Sequence, residues 1–202
     1  MTTRTTTEHT DEPGVGEHIL DVAIEQFGRH GFDVDLQVIA QAAGVDSTLV
    51  IDKFGTKEGL LKACDDHIAE SIRTSKSQAL QSHRPQTWFD QMSSIASYAP
   101  VMAYLVRSMQ ASGDLGDALM RHMIDNAEGY LEDGVRAGTV KPSRDPKGRA
   151  RFLALNGGGG FLLYLHMHPT PDDVKAVLRD YSRDMILPAL EVYTHGLLTD
   201  AT

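Results

Sequence analysis

From about residue 16 to residue 195, apolar residues return at every third or fourth position, and the runs are broken only by Gly, Pro and Asp. No stretch alternates apolar and polar residues long enough to build a sheet, so the periodicity confines the chain to an all-α fold. Ile19, Ala23 and Phe27 mark a first helix over about 16–29, which Gly31 can stop in the left-handed conformation. Asp35 stands at the N-cap of a short second helix bearing Leu36, Ile39, Ala40 and Ala43, and Gly44 closes it. Asp46 caps a third, with Val45 and Val50 placed as a hydrophobic staple, and this helix ends near Phe54-Gly55. Thr56 opens a fourth, with Glu58 in its first turn and Leu60, Leu61, Cys64, Ile68 and Ile72 on its buried side; Pro85 forbids continuation much beyond residue 80. Helical patterns over about 86–98, 101–111, 114–137, 146–168 and 171–195 bring the count to about nine.

At 202 residues, 41% hydrophobic and 23% charged, the chain can bury a substantial core, which excludes disorder throughout. Residues 1–13, rich in Thr and acids without apolar periodicity, read as a disordered tail. The longest apolar stretch, 157–165, falls far short of the roughly 20 residues that span a bilayer, and the N-terminus lacks the apolar segment of a signal peptide. The single cysteine, Cys64, can form neither an internal disulfide nor a multi-thiolate zinc site, so the expected compartment is the cytoplasm and no membrane is expected as partner. No H-E-x-x-H, G-x-S-x-G or paired-cysteine motif occurs, and His166 and His168 diverge by about 200° on a helix. The expectation is a protein that is not an enzyme, with no catalytic residues, no metal and no cofactor.

Two short helices joined by Ala43-Gly44-Val45 form a helix-turn-helix pattern. Val50 and Phe54 take the inner face of the second, leaving Ser47, Thr48, Leu49 and Ile51 pointing outward where base edges would be met. Lys53 and Lys57 flank it at phosphate distance, and the amides around Thr56 and Lys57 offer an anion site at a helix N-terminus. Against this stands the charge. The chain carries −9 overall, and residues 1–76 hold seven basic and 14 acidic groups, a net of −7.

The segments ILDVAIEQFGRHGFD, IAQAAGV and FGTKEGLLKACDDHI, in this order within residues 17–70, resemble the tetracycline-repressor-like (TetR) family of transcriptional regulators over roughly a quarter of the chain. The resemblance implies a homodimer with a three-helix DNA-binding domain at 14–56 and a ligand-binding and dimerisation domain at 57–202. It places groove contacts on Ser47, Thr48, Leu49 and Ile51, and backbone contacts on Lys53 and Lys57. The departures from the family pattern are acidic or apolar: Ile51 where Tyr is usual, Asp52 where His or another neutral polar residue is common, and Asp35 and Asp46 where Thr or Ser begins helices two and three. Each added carboxylate weakens binding driven by counterion release, so few phosphate contacts and a shallow salt slope are expected.

Residues 86–135 are rich in Met and aromatics, which either pack a core or line an adaptable cavity. In the second case Phe89, Met92, Met102, Tyr104, Met109, Met123 and Tyr130 would face a mostly apolar inducer, with Asn156 as an orienting polar group. Asn156 is followed by four glycines, which cost a helix roughly 3–4 kcal/mol against alanine and imply either close backbone approach or a break. The last segment, opening at Thr170-Pro171-Asp172-Asp173, is apolar over more surface than one helix covers, and Pro188 predicts a kink in it. In the family plan the last two helices pair with their symmetry mates. The expected function is a ligand-responsive regulator, with repression the expected sign, acting on a palindromic operator in double-stranded DNA; the alternative is a dimer of weakened DNA affinity that binds small molecules or proteins.

Overall fold

The computed structural model describes residues 14–82, 95–111 and 114–196, and among these the regular structure is helical. The helices are α1 (Val15–His30), α2 (Leu36–Ala42), α3 (Ser47–Phe54), α4 (Lys57–Gln81), α5 (Ala99–Gln110), α6 (Asp114–Ala137), α7 (Pro146–Met167) and α8 (Val174–His195), with a 3-10 turn at Ile95–Tyr98. The expected tail at 1–13 lies outside the described residues, as does most of the helix expected at 86–98, whose end is that 3-10 turn.

The early helices fold as their periodicity demands. Ile19, Ala23, Phe27, Ile39, Val50, Leu60, Cys64 and Ile68 are wholly buried in one cluster, with Val45 packed against it beside Val50 as the staple requires. Asp46 caps α3 by accepting the Thr48 amide, and Thr56 caps α4 by accepting the Gly59 amide; Asp35 sits at the cap of α2 but its side chain makes no cap bond.

Two later expectations change, at the start of the last helix and at the glycine run. The last helix begins at Val174, because Asp173, whose carboxylate accepts the Ala176 amide at 3.0 Å, is the better N-cap than Thr170. It runs on through Pro188 as helix to His195. The glycine run 157–160 lies within uninterrupted α7, so it is not a break.

The core does not stop where the two expected domains meet. Tyr104 of α5 is wholly buried in the N-terminal cluster, its ring edge-on to Phe32 at 5.3 Å and to Phe27 at 6.4 Å. Its hydroxyl donates to Asp65 of α4 at 2.8 Å. Gly28 lets the helices touch: a Cβ there would stand 3.0 Å from the Tyr104 amide nitrogen. Arg107 donates to the carbonyls of Gly28 and Arg29, covering the C-terminal end of α1 with a cation. The rest of the body packs α4 on α6 and α6 on α7, with α8 against α5 and α7. No helix among the described residues is long and apolar enough to cross a membrane.

Burial pushes the Asp65 carboxyl up to about 6, against the lowering effect of the Tyr104 hydroxyl. Between pH 4 and 6 the native chain therefore keeps a proton that the unfolded chain has released, and this group's contribution to stability falls as pH rises through that window. In urea unfolding, Asp65→Asn should gain stability relative to the parent as pH rises from 4 to 6 and hold that gain above it. Tyr104→Phe, which strands the buried carboxylate, should lose about 1–3 kcal/mol at pH 7.

Candidate nucleic-acid interface and ligand cavity

The turn between α2 and α3 rests on Gly44, whose φ of 67° favours glycine, and the buried Val50 then fixes the rotation of α3 about its axis. Thr48, Ile51, Asp52 and Lys53 are exposed on α3, Ile51 with 49% of its surface open. Ser47 is half-buried. Leu49, expected outward, is half-buried and packed on the core, since it neighbours Val50 and sits on the flank of the inner face. The Thr48 hydroxyl donates to Asp46 at 2.7 Å, so the cap also orients that hydroxyl and leaves its lone pairs outward.

Beside the Thr56 and Lys57 amides expected to hold a phosphate, the amides of Glu58 and Gly59 are already engaged. The Thr56 hydroxyl accepts the Gly59 amide at 3.2 Å, and Glu58 bonds its own backbone amide and Thr56, which hold its carboxyl below the ordinary glutamate range. An incoming phosphate would displace the chain's own carboxylate. Lys57 is half-buried beside it.

The second site is a cavity of about 440 Å³ enclosed by α4 to α8 and the 3-10 turn. Met102, Met109, Met123 and Tyr130 line it as expected. Two expected residues lie elsewhere: Tyr104 is on the opposite side of α5, in the N-terminal core, and Asn156 faces outward on α7, exposed. Phe89 and Met92 lie outside the described residues. Met120 and the backbone of Gly157 and Gly158 also line it, and sequence reasoning missed Ser108, Phe161 and the α4 contribution of Ile72, Ser75 and Lys76. The Ile72–Lys76 spacing of one helical turn was the available signal. A wider groove of about 780 Å³ between α1, α5 and the start of α8 is lined by charges of both signs, among them Glu25, Arg29, Arg107, Asp172 and Lys175.

Comparison with known proteins bears on both sites. Residues 19–64 match the bacterial regulatory proteins of the tetR family, and residues 96–199 match the tetracyclin repressor-like C-terminal domain. The chain is 67% identical over 182 residues, 90% of its own length and 86% of the relative's, to the HTH-type transcriptional regulatory protein RaaS of Mycobacterium tuberculosis. In fold it is similar to the transcriptional regulator FadR of Bacillus subtilis, solved in complex with stearoyl-CoA, at 16% identity and a TM-score of 0.53 over 90% of this chain and 99% of that one. A structure described as the molecular basis for control of antibiotic production by bacterial hormones aligns at 21% identity and a TM-score of 0.54, over 87% and 97%.

The junction of α3 and α4 closes through Gly59, where a Cβ would stand 2.1 Å from the Phe54 carbonyl oxygen. Gly59→Ala should therefore destabilise the chain by about 1–3 kcal/mol in thermal or urea unfolding, as overpacking against backbone does.

Proposed function

The chain belongs to the tetR family of bacterial regulatory proteins, which regulate transcription and are not enzymes, and from that premise we propose that it is a ligand-responsive repressor of a palindromic operator. The observation that carries the DNA half is the rotation of α3: Val50 wholly buried, Thr48 and Ile51 exposed. Thr48, its proton held by Asp46, would accept from a base amino group such as adenine N6 or cytosine N4, and Ile51 would meet thymine methyls. Ser47 adds a hydroxyl, Leu49 supports α3 from its flank, and Lys53 and Lys57 meet phosphates. Thr56 serves as cap in preference to phosphate ligand.

The proposed division is a DNA-binding unit at 14–56 and a ligand-binding and dimerisation unit at 57–202. A homodimer through α7 and α8 is supported by their exposed apolar residues. Phe152, Leu155 and Leu163 share one face of α7 with Gly159, where a Cβ would meet nothing within 4 Å in the subunit. On α8, Leu187, Leu190 and Tyr193 are likewise open. An apolar patch of this extent is normally covered, and the glycine admits a partner helix at close range.

Coupling follows from two shared helices. α4 lines the cavity with Ile72 and buries Leu60 and Cys64 in the N-terminal core; α5 lines it with Met102 and Met109 and buries Tyr104 on its other face. A mostly apolar ligand that favours one placement of α4 and α5 shifts the spacing of the two recognition helices away from the roughly 34 Å that lets both half-sites engage.

The acidic balance of residues 1–76 favours a second reading, a dimer of weak DNA affinity that serves as a binding module. Selection from random duplex DNA separates the two: a palindrome emerges from the first and nothing enriched from the second. On that palindrome, Lys53→Ala with Lys57→Ala should weaken binding evenly across sequences and flatten the log–log salt slope by about 2 per half-site, whereas Thr48→Ala should relax preference at one base position in each half-site. Unchanged binding in both variants would overturn the contact assignment.

A further inference from the structure

The cavity's wall is apolar over most of its extent, yet α4 sends one cation into it. Lys76 is the single charged residue among the described residues lining the cavity, and no carboxylate pairs with it among them. Some cations elsewhere are held by acids: Lys62 by Asp66, Arg73 by Glu70, and Arg183 by Asp180 and Asp184. Burial alone, with no neighbouring charge contributing, pushes the Lys76 ammonium below the ordinary lysine range. Lys76 nevertheless keeps open surface and is not a buried residue, so its ammonium is in reach of the cavity while it stays in contact with solvent. On an otherwise apolar wall it is the charged group that an anionic guest would meet.

A second polar group points the same way. Ser108, 1% exposed and also in the cavity wall, has a buried Oγ without a hydrogen-bond partner among the described residues. Buried hydroxyls are ordinarily satisfied, so this one is available to a guest. Around these two groups stand the thioethers of Met102, Met109, Met120 and Met123, which conform to an irregular apolar body.

We propose that the cavity takes an amphipathic ligand with an apolar body and one carboxylate headgroup, which Lys76 binds as a charge-assisted pair. A singly charged head neutralises the one ammonium, whereas a phosphate monoester, with a charge near −2, would leave excess charge in an apolar chamber. The inference rests on the reading that this cavity holds the regulatory ligand.

Calorimetric titration of the full chain with decanoate and with decanol tests it. Decanoate should bind at least about tenfold more tightly. Lys76→Gln should erase that preference while leaving decanol affinity and the folded state intact, with a ligand-free Tm equal to or above the parent's, and Lys76→Arg should restore it. Equal affinities in the parent, a preference that survives Lys76→Gln, or binding of neither compound overturns the assignment. Release of the selected palindrome, followed in parallel, separates the two readings. Decanoate that binds through Lys76 without releasing DNA leaves the headgroup assignment standing and defeats ligand-responsive repression. DNA released equally by both compounds does the reverse.

Discussion

Tyr104 joins the halves of this molecule. Its ring packs against Phe27 and Phe32 in the N-terminal core while its hydroxyl donates to Asp65 across the interior. Without that insertion the three short helices would hold a small core of their own, and α5 would have no fixed relation to them. With it, the helices that wall the cavity and those that present α3 belong to one packed body, and interiors at crystal-like density transmit displacement in preference to absorbing it. The close contact at Gly28 and the Arg107 bonds to the end of α1 strengthen the same joint. A functional account of the chain therefore begins at the seam between the expected domains.

The sequence made the N-terminal unit legible because each signal there is local. The spacing of Ile19, Ala23 and Phe27, the caps at Asp46 and Thr56 and the glycine at 44 act within a few residues, and the structure uses each as expected. Where the deciding interaction is distant, periodicity misleads. Tyr104 sits in a Met- and aromatic-rich stretch and reads as cavity wall, yet α5 has two buried faces, and its partners at Phe27 and Asp65 lie 77 and 39 residues away. Lys76 carries no local signal of its place: it is an exposed lysine on a charged helix, and only the packing of α4 against α6 sets it at the edge of the cavity. The four glycines of α7 pose the same difficulty. Their helical cost is plain from the residues, but among the described residues nothing crowds Gly157 or Gly159, and Gly157 and Gly158 line the cavity, which no periodicity announces.

Electrostatics gives the two sites opposite characters. The proposed recognition surface is poor in cations: Glu58 bonds its own amide at the start of α4, Asp46 caps α3, and Asp52 stands on it. Such a surface gains little from counterion release and must draw discrimination from hydrogen bonds and apolar contact, in a dimer that adds two half-sites. The cavity holds a cation where an apolar wall would be cheaper to build. On the proposed reading, the first site binds DNA without a strong ionic hold and the second takes an anion.

The central claim is that α3 is presented outward by a dimeric body that sets its spacing. The direct measurement is the distance between spin labels on Asp52→Cys in the two subunits, read by pulsed dipolar spectroscopy; the native Cys64 is wholly buried and stays unlabelled. The account predicts an intersubunit distance in the free protein that narrows, on a palindromic duplex, to a value near one helical repeat of about 34 Å. Absence of any intersubunit coupling at micromolar concentration, or a duplex-bound distance far from that repeat, would contradict it.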